Sequence, residues 1–227
     1  MQNITPKESD LFDLSWRNLT PMVVVVHQDT LVRRLVTSLA ESAGWHSKNF
    51  GSPLDFLAEP RIRVPSCLVL DVALPGISGL QLLRQIADRR EMPVIFITAH
   101  ADVQTTVQAM KDGAREFFTT PLAGECILDA LRWALERSRT IIEDVCEIEL
   151  LRERHTSLSE REKAVMALVV EGQMNKQIAF ELGISEITVK AHRGRMVRKM
   201  GAHSVPDLVR MSARLNTPVE VVRTQIS

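Results

Sequence analysis

Four short apolar runs recur along residues 23–120, and each ends in polar groups. VVVV runs into His27, CLVL into Asp71, VIFI into Thr98, and EFF into Thr119 and Thr120. The runs are rich in β-branched residues and are continuous rather than alternating, which is the pattern of strands buried on both faces. Residues 46–50 fit a further strand. Between the runs, apolar residues take helical spacing. Val32, Leu35, Val36, Leu39 and Ala40 form one such set before Gly44, and Leu80, Leu83 and Ile86 form another within 79–90. Shorter helices fit 53–58 and 102–111. Strand and helix alternate about five times, which predicts a five-stranded parallel sheet, doubly wound with helices on both faces. In such sheets the working residues gather beyond the C-terminal strand ends. His27, Gln28, Asp71, Thr98 and Thr120 all fall at that edge.

From Glu125 a helical pattern continues to about Arg154 without Pro or Gly. Two helices with a break near Ser138 would fit. One long helix leaving the first domain as a linker fits better, and its heptads are too irregular for a sustained coiled coil. Four helices follow. Ser159 and Glu162 have capping-box spacing ahead of the first, which stops at Gly172. NKQIAFELG is the second helix. SEITVKAHRGRMVRKMG is the third, between Ser185 and Gly201, and PDLVRMSARL is the fourth. The expected boundaries are therefore an extension at 1–20 with room for one turn of helix at DLFDLSW, a sheet domain at 21–137, a helical linker at 138–156, and an all-α four-helix domain at 157–227.

The formal net charge is zero, but residues 156–227 are net +4 while 1–137 and 138–155 are each net −2. A basic end beside an acidic remainder points to an anionic partner for that end. No apolar run approaches the ~18–20 residues of a membrane span, and the acidic N-terminus has no signal-peptide core. Cys67, Cys126 and Cys146 lack zinc or disulfide spacing and fit buried or half-buried reduced thiols, so the cytoplasm is the expected location.

A short helix, the tight LGIS connection and a second helix make a helix-turn-helix. The third helix carries Lys190, Arg193, Arg195, Arg198 and Lys199 against one acid, Glu186, with Ile187, Val189, Met196 and Met200 as its seating stripe. Such a helix enters the major groove by its N-terminal part. Double-stranded DNA is the expected partner.

Residues 158–210 closely resemble the LuxR-type DNA-binding domain through LSERE, NKQIA, LGIS, TVK and KMGA. LVLDVALPGISGLQLL and PVIFITAH resemble a response-regulator receiver, which has the flavodoxin-like fold. The two in this order look like the FixJ branch of the FixJ/NarL family. The resemblance implies groove or phosphate contacts from Thr188, Lys190, Arg193 and Arg195, with Arg198 and Lys199 on the same helix and a phosphate contact from Lys176. Gly194 stands where some relatives carry a contacting side chain. It also implies a homodimer, RNA polymerase and a sensor kinase or other protein as partners, and with no nucleophile–base pair, metal cluster or phosphate-cradling glycine loop in the sequence, no enzyme is expected.

A family receiver phosphorylates one Asp, holds Mg²⁺ with two acids after the first strand, and binds phosphoryl oxygens with a Thr or Ser and a Lys. This chain matches Asp71 and Thr98, and Phe117 stands at the family's aromatic switch position. His27 and Gln28 occupy the acid-pair positions, and Thr120 replaces the Lys. Arg33 and the Val32–Gly44 pattern fix that register. Sliding it by one residue would make Asp29 a ligand but would put the helix out of phase. The pocket then holds one carboxylate where relatives hold three. Its expected chemistry is a vestigial phosphoacceptor, little need for Mg²⁺, and His27 bonded to or near Asp71, whose charge a protonated ring would neutralise. Ordinary switching through Asp71 is the alternative. A protein-interaction adaptor without DNA binding is the alternative from another class.

Overall fold

The computed structural model describes residues 19–99, 102–121 and 123–216. The turn expected at DLFDLSW lies outside them. The chain parts into two compact units, Met1–Glu143 and Asp144–Ser227.

The first unit alternates strand and helix throughout: β1 Met22–Val26, α1 Thr30–Ser42, β2 His46–Phe50, α2 Pro53–Ala58, β3 Ser66–Leu70, α3 Gly79–Gln85, β4 Val94–Thr98, α4 Val103–Lys111, β5 Glu116–Thr119 and α5 Gly124–Thr156. All pairings are parallel, in the order β2-β1-β3-β4-β5. Successive side chains on a strand point to opposite faces, so the runs divide between two cores. Val23, Val25, Val69, Ile95 and Ile97 pack on α1 and α5 through Val36, Ala40, Ile127 and Leu131. Val24, Val26, Leu68, Leu70 and Phe96 pack on α2, α3 and α4 through Phe56, Leu82, Leu83 and Ala109. Fully burying such a side chain contributes about 1.5–3 kcal/mol, which is why these strands tolerate no polar residue until their ends.

Several element ends differ from the sequence-based expectation, most by one or two residues. β3 stops at Leu70, and Asp71 lies just past it. β5 stops at Thr119, before Thr120. The helix expected over 79–90 is regular only to Gln85. Tight turns follow, with Arg89 N–H donating to the Ile86 carbonyl at 2.8 Å and Met92 N–H to the Arg89 carbonyl at 2.9 Å. They place both Ile86 and Met92 in the core ahead of β4. Cys67 and Cys146 are buried, but Cys126 is exposed, on the outer side of α5 beside the inward Ile127.

α5 is one unbroken helix of 33 residues. Ser138 does not break it. Its buried hydroxyl donates to the Glu91 carbonyl and accepts the Ser66 N–H at 2.9 Å, tying the helix to the start of β3. The C-terminal part of α5 belongs to the second unit. Leu151 joins that unit's core, and Arg214 pairs with Asp144 at 3.3 Å and Glu147 at 2.7 Å. The second unit continues with α6 Glu160–Val170, α7 Asn175–Leu182, α8 Glu186–Met200 and α9 Val205–Asn216. Ser159 and Glu162 form the expected capping box. No described helix is long and apolar enough to cross a membrane.

Candidate functional site

Parallel pairing aligns the C-terminal strand ends, and backbone bonds extend the alignment past the strands. Asp71 N–H donates to the Val26 carbonyl at 2.9 Å, and Thr120 N–H to the Thr98 carbonyl at 3.0 Å. His27, Asp71 and Thr98 are thereby brought to one edge, at 4%, 2% and 1% exposure. Gln28 and Asp29 are exposed, and Thr120 is half-buried ahead of a cis bond to Pro121. Phe117, also half-buried, stacks on Phe96 with centroids 5.8 Å apart.

His27 Nδ1 lies 3.7 Å from Asp71 Oδ2. That is proximity without a hydrogen bond, because Nδ1 accepts the backbone N–H of Asp29 at 3.0 Å. The neutral ring therefore carries its proton on Nε2, which is enclosed without a well-formed hydrogen bond. Burial holds the His27 pKa below 6.5, against the opposing pull of Asp71, Asp29 and the Ile97 carbonyl. A neutral His27 contributes no charge against Asp71, contrary to the neutralising role a protonated ring would play. Asp71 Oδ1 accepts the Ala73 N–H at 3.1 Å.

Asp29 is spent on the backbone. Its Oδ1 accepts the Leu31 N–H at 2.7 Å and caps α1. Arg33 straps the loop between β1 and α1. One guanidinium nitrogen donates to the carbonyls of His27 and Gln28, the latter at 2.9 Å, and the other donates to Thr30 Oγ1 at 2.9 Å. In the sequence Arg33 served only to fix register, because a bond to a carbonyl six residues back has no residue-type signature. Gly79 backs Asp71. A Cβ there would lie 2.1 Å from the Asp71 carbonyl oxygen. Among the described residues no set of three His, Cys, Asp or Glu side chains converges as a metal site.

In the second unit α7 ends at Gly183, whose φ of 64° takes the left-handed turn that glycine favours. Ser185 then caps α8 through the Thr188 N–H at 3.1 Å. Val189, Met196 and Met200 seat α8 on the core. Ile187 does not join them, as it is 80% exposed. At 100° per residue it points away from the buried three.

The cations divide into two groups. Lys199 reaches buried Glu162 at 2.6 Å and the Ser157 carbonyl at 3.0 Å. Arg195 lies 3.4 Å from the same carboxylate and 3.2 Å from His192. Arg193 donates to Asn175 Oδ1 at 2.8 Å. The Glu162 carboxyl, bonded by Lys199 and by the Ser159 backbone, is held down at about 2. These contacts fix the pose of α8 against α6 and α7. Thr188 is half-buried, with its hydroxyl 2.8 Å from that of Ser185. Lys176, Lys190 and Arg198 are exposed, and Arg198 also reaches the Gly194 carbonyl at 3.3 Å. Gly194 is exposed, with open space where a side chain would start.

Comparisons with known proteins find relatives for both units. Residues 23–132 match the response regulator receiver domain, and 156–212 match the bacterial regulatory proteins of the luxR family. Nodulation protein W of Bradyrhizobium diazoefficiens is 46% identical over 86% of this chain and 86% of its own. The transcriptional regulatory protein FixJ of Azorhizobium caulinodans is 39% identical over 84% of this chain and 90% of its own. Among solved structures, response regulator StyR superposes with a TM-score of 0.79 at 38% identity, covering 86% of this chain and all of that one. Full-length FixJ from B. japonicum gives 0.51 at 31% identity, over 86% and 96%. The chain therefore belongs to the response regulators that join a receiver domain to a LuxR-type helix-turn-helix, with FixJ among its relatives.

Proposed function

We propose that this regulator controls transcription through α8 while its receiver works without standard Mg²⁺-dependent phosphorylation of Asp71. The observation that carries the reading is the state of His27. It stands where relatives carry an acid, it is buried, its pKa is depressed, and its Nδ1 lone pair is engaged by Asp29 N–H. Mg²⁺ takes near-octahedral oxygen ligands, usually including carboxylates. The donors here are a poor fit: Asp71 alone retains a buried carboxylate, Asp29 caps a helix, and Gln28 is exposed. Thr120 brings no cation to balance a phosphoryl group, which phosphoryl transfer relies on.

The receiver then acts through a homodimer contact, a partner protein or a small ligand, in the cytoplasm. The DNA-binding unit engages paired half-sites and, through them, RNA polymerase. Retention of Asp71, Thr98 and Phe117 supports the second reading, ordinary switching by a sensor kinase. Intact-mass measurement after incubation with phosphoramidate and Mg²⁺ separates the two. No phosphorylated species is expected, and stoichiometric phosphorylation at Asp71 overturns the proposal.

A further inference from the structure

α8 offers one face for reading DNA. Ile187, Lys190, Ala191, Gly194 and Arg198 fall within an arc of about 100° at 3.6 residues per turn, roughly opposite Val189, Met196 and Met200. All five are exposed. The cations on the flanks pair within the domain, Arg195 and Lys199 with Glu162 and Arg193 with Asn175, with Arg195 and Lys199 still exposed. The outward face is therefore a β-branched side chain in the first helical turn, followed by small residues, with Lys190 and Arg198 as its charges. Ile187 is 80% exposed and sits in the part of the helix that enters the major groove. The distinctive apolar feature of that groove is the C5-methyl of thymine. Gly194, with nothing within 4 Å of a built Cβ, leaves room for the duplex to approach.

We infer that Ile187 is a specificity-determining residue that packs on a thymine methyl, so that this regulator prefers half-sites with a thymine at a fixed position. Lys190 and Arg198 supply the polar and phosphate contacts on either side. The inference rests on the DNA-binding reading of α8 and specifies its target. A protein partner covering Ile187 is the competing use. The positive charges flanking it and the exposed glycine in line with it favour the groove.

The test uses the full chain. Duplexes are selected from a random pool, and each thymine of the selected half-site is replaced in turn by deoxyuridine, which removes only the methyl. Binding of the wild type is expected to weaken about fourfold at one thymine per half-site, the scale of one buried CH₂. I187A is expected to bind thymine and deoxyuridine alike there, and I187V to keep part of the preference. K190A is expected to weaken both duplexes equally and leave their ratio unchanged. Specific binding that is indifferent to deoxyuridine at every position overturns the inference while leaving DNA binding intact, as does I187A with undiminished methyl dependence. Failure to select any duplex overturns the DNA-binding reading as well.

Discussion

His27 Nδ1 and Asp71 Oδ2 face each other across 3.7 Å in a buried pocket without a hydrogen bond between them, because the imidazole nitrogen is held by Asp29 N–H. This pair sits where a receiver assembles metal and phosphoryl group. Burial of the ring holds its pKa below the ordinary value.

That burial makes stability depend on pH in one direction. The folded-state pKa of His27 lies below 6.5, so the unfolded chain takes up the proton first as pH falls. The stabilising contribution is complete above about pH 7.5 and is lost as pH falls through 6.5 towards the folded value. Urea unfolding of the full chain between about pH 7.5 and 5.5 is expected to show wild type losing stability faster than His27→Gln. Parallel pH profiles would contradict the assignment.

Restoring the missing groups is expected to restore the chemistry. The variant His27→Asp, Gln28→Asp and Thr120→Lys supplies two acids and a cation around a retained Asp71 and Thr98. Intact mass after phosphoramidate and Mg²⁺ is expected to show a phosphorylated fraction that disappears on adding Asp71→Ala. An unmodified variant with native-like circular dichroism would show that something other than these three residues silences the pocket.

Lys199 and Lys190 are expected to fail in different ways. Lys199→Ala removes the shortest of Glu162's ion pairs and loosens α8 against α6, so hydrogen exchange of α8 amides is expected to rise about tenfold, the scale of one charge-assisted bond. Lys190→Ala is expected to leave exchange unchanged, weaken DNA binding, and lower the salt slope by about one if it meets a phosphate. Lys199→Ala with normal exchange but lost DNA binding would reassign it to the interface.

Gly79→Ala drives a methyl to 2.1 Å from the Asp71 carbonyl, a backbone atom that cannot rotate away. Overpacking of this kind costs about 1–3 kcal/mol or more. Chemical denaturation followed by near-ultraviolet ellipticity measures it. A loss near zero would mean that the loop after β3 is free to shift.

Much of the fold was legible in the sequence because it is local. VVVV, CLVL and VIFI could only be buried strands, and the capping residues at Ser159 and Ser185 marked their helices. In the pocket, the register from Val32 to Gly44 set His27 and Gln28 at the expected acid positions and Asp29 beside them, and that Asp29 caps α1 emerges only in the structure. What stayed hidden depends on partners distant in sequence. Ser138 is an unremarkable helical serine until β3 lies beside it, 72 residues away in the chain. That Lys199 and Arg195 both reach Glu162 shows only once α6 lies beside α8. Ile187 fits an apolar stripe by type, yet its angle on α8 turns it to solvent.

The most direct test of phosphorylation independence is the affinity of the full chain for a selected duplex, measured with and without phosphoramidate and Mg²⁺ beside Asp71→Ala. The account predicts one Kd for all three, within about twofold. Coupling through a working switch is typically about 5–150-fold. A tightening of about tenfold with the phosphodonor, abolished by Asp71→Ala, would contradict it.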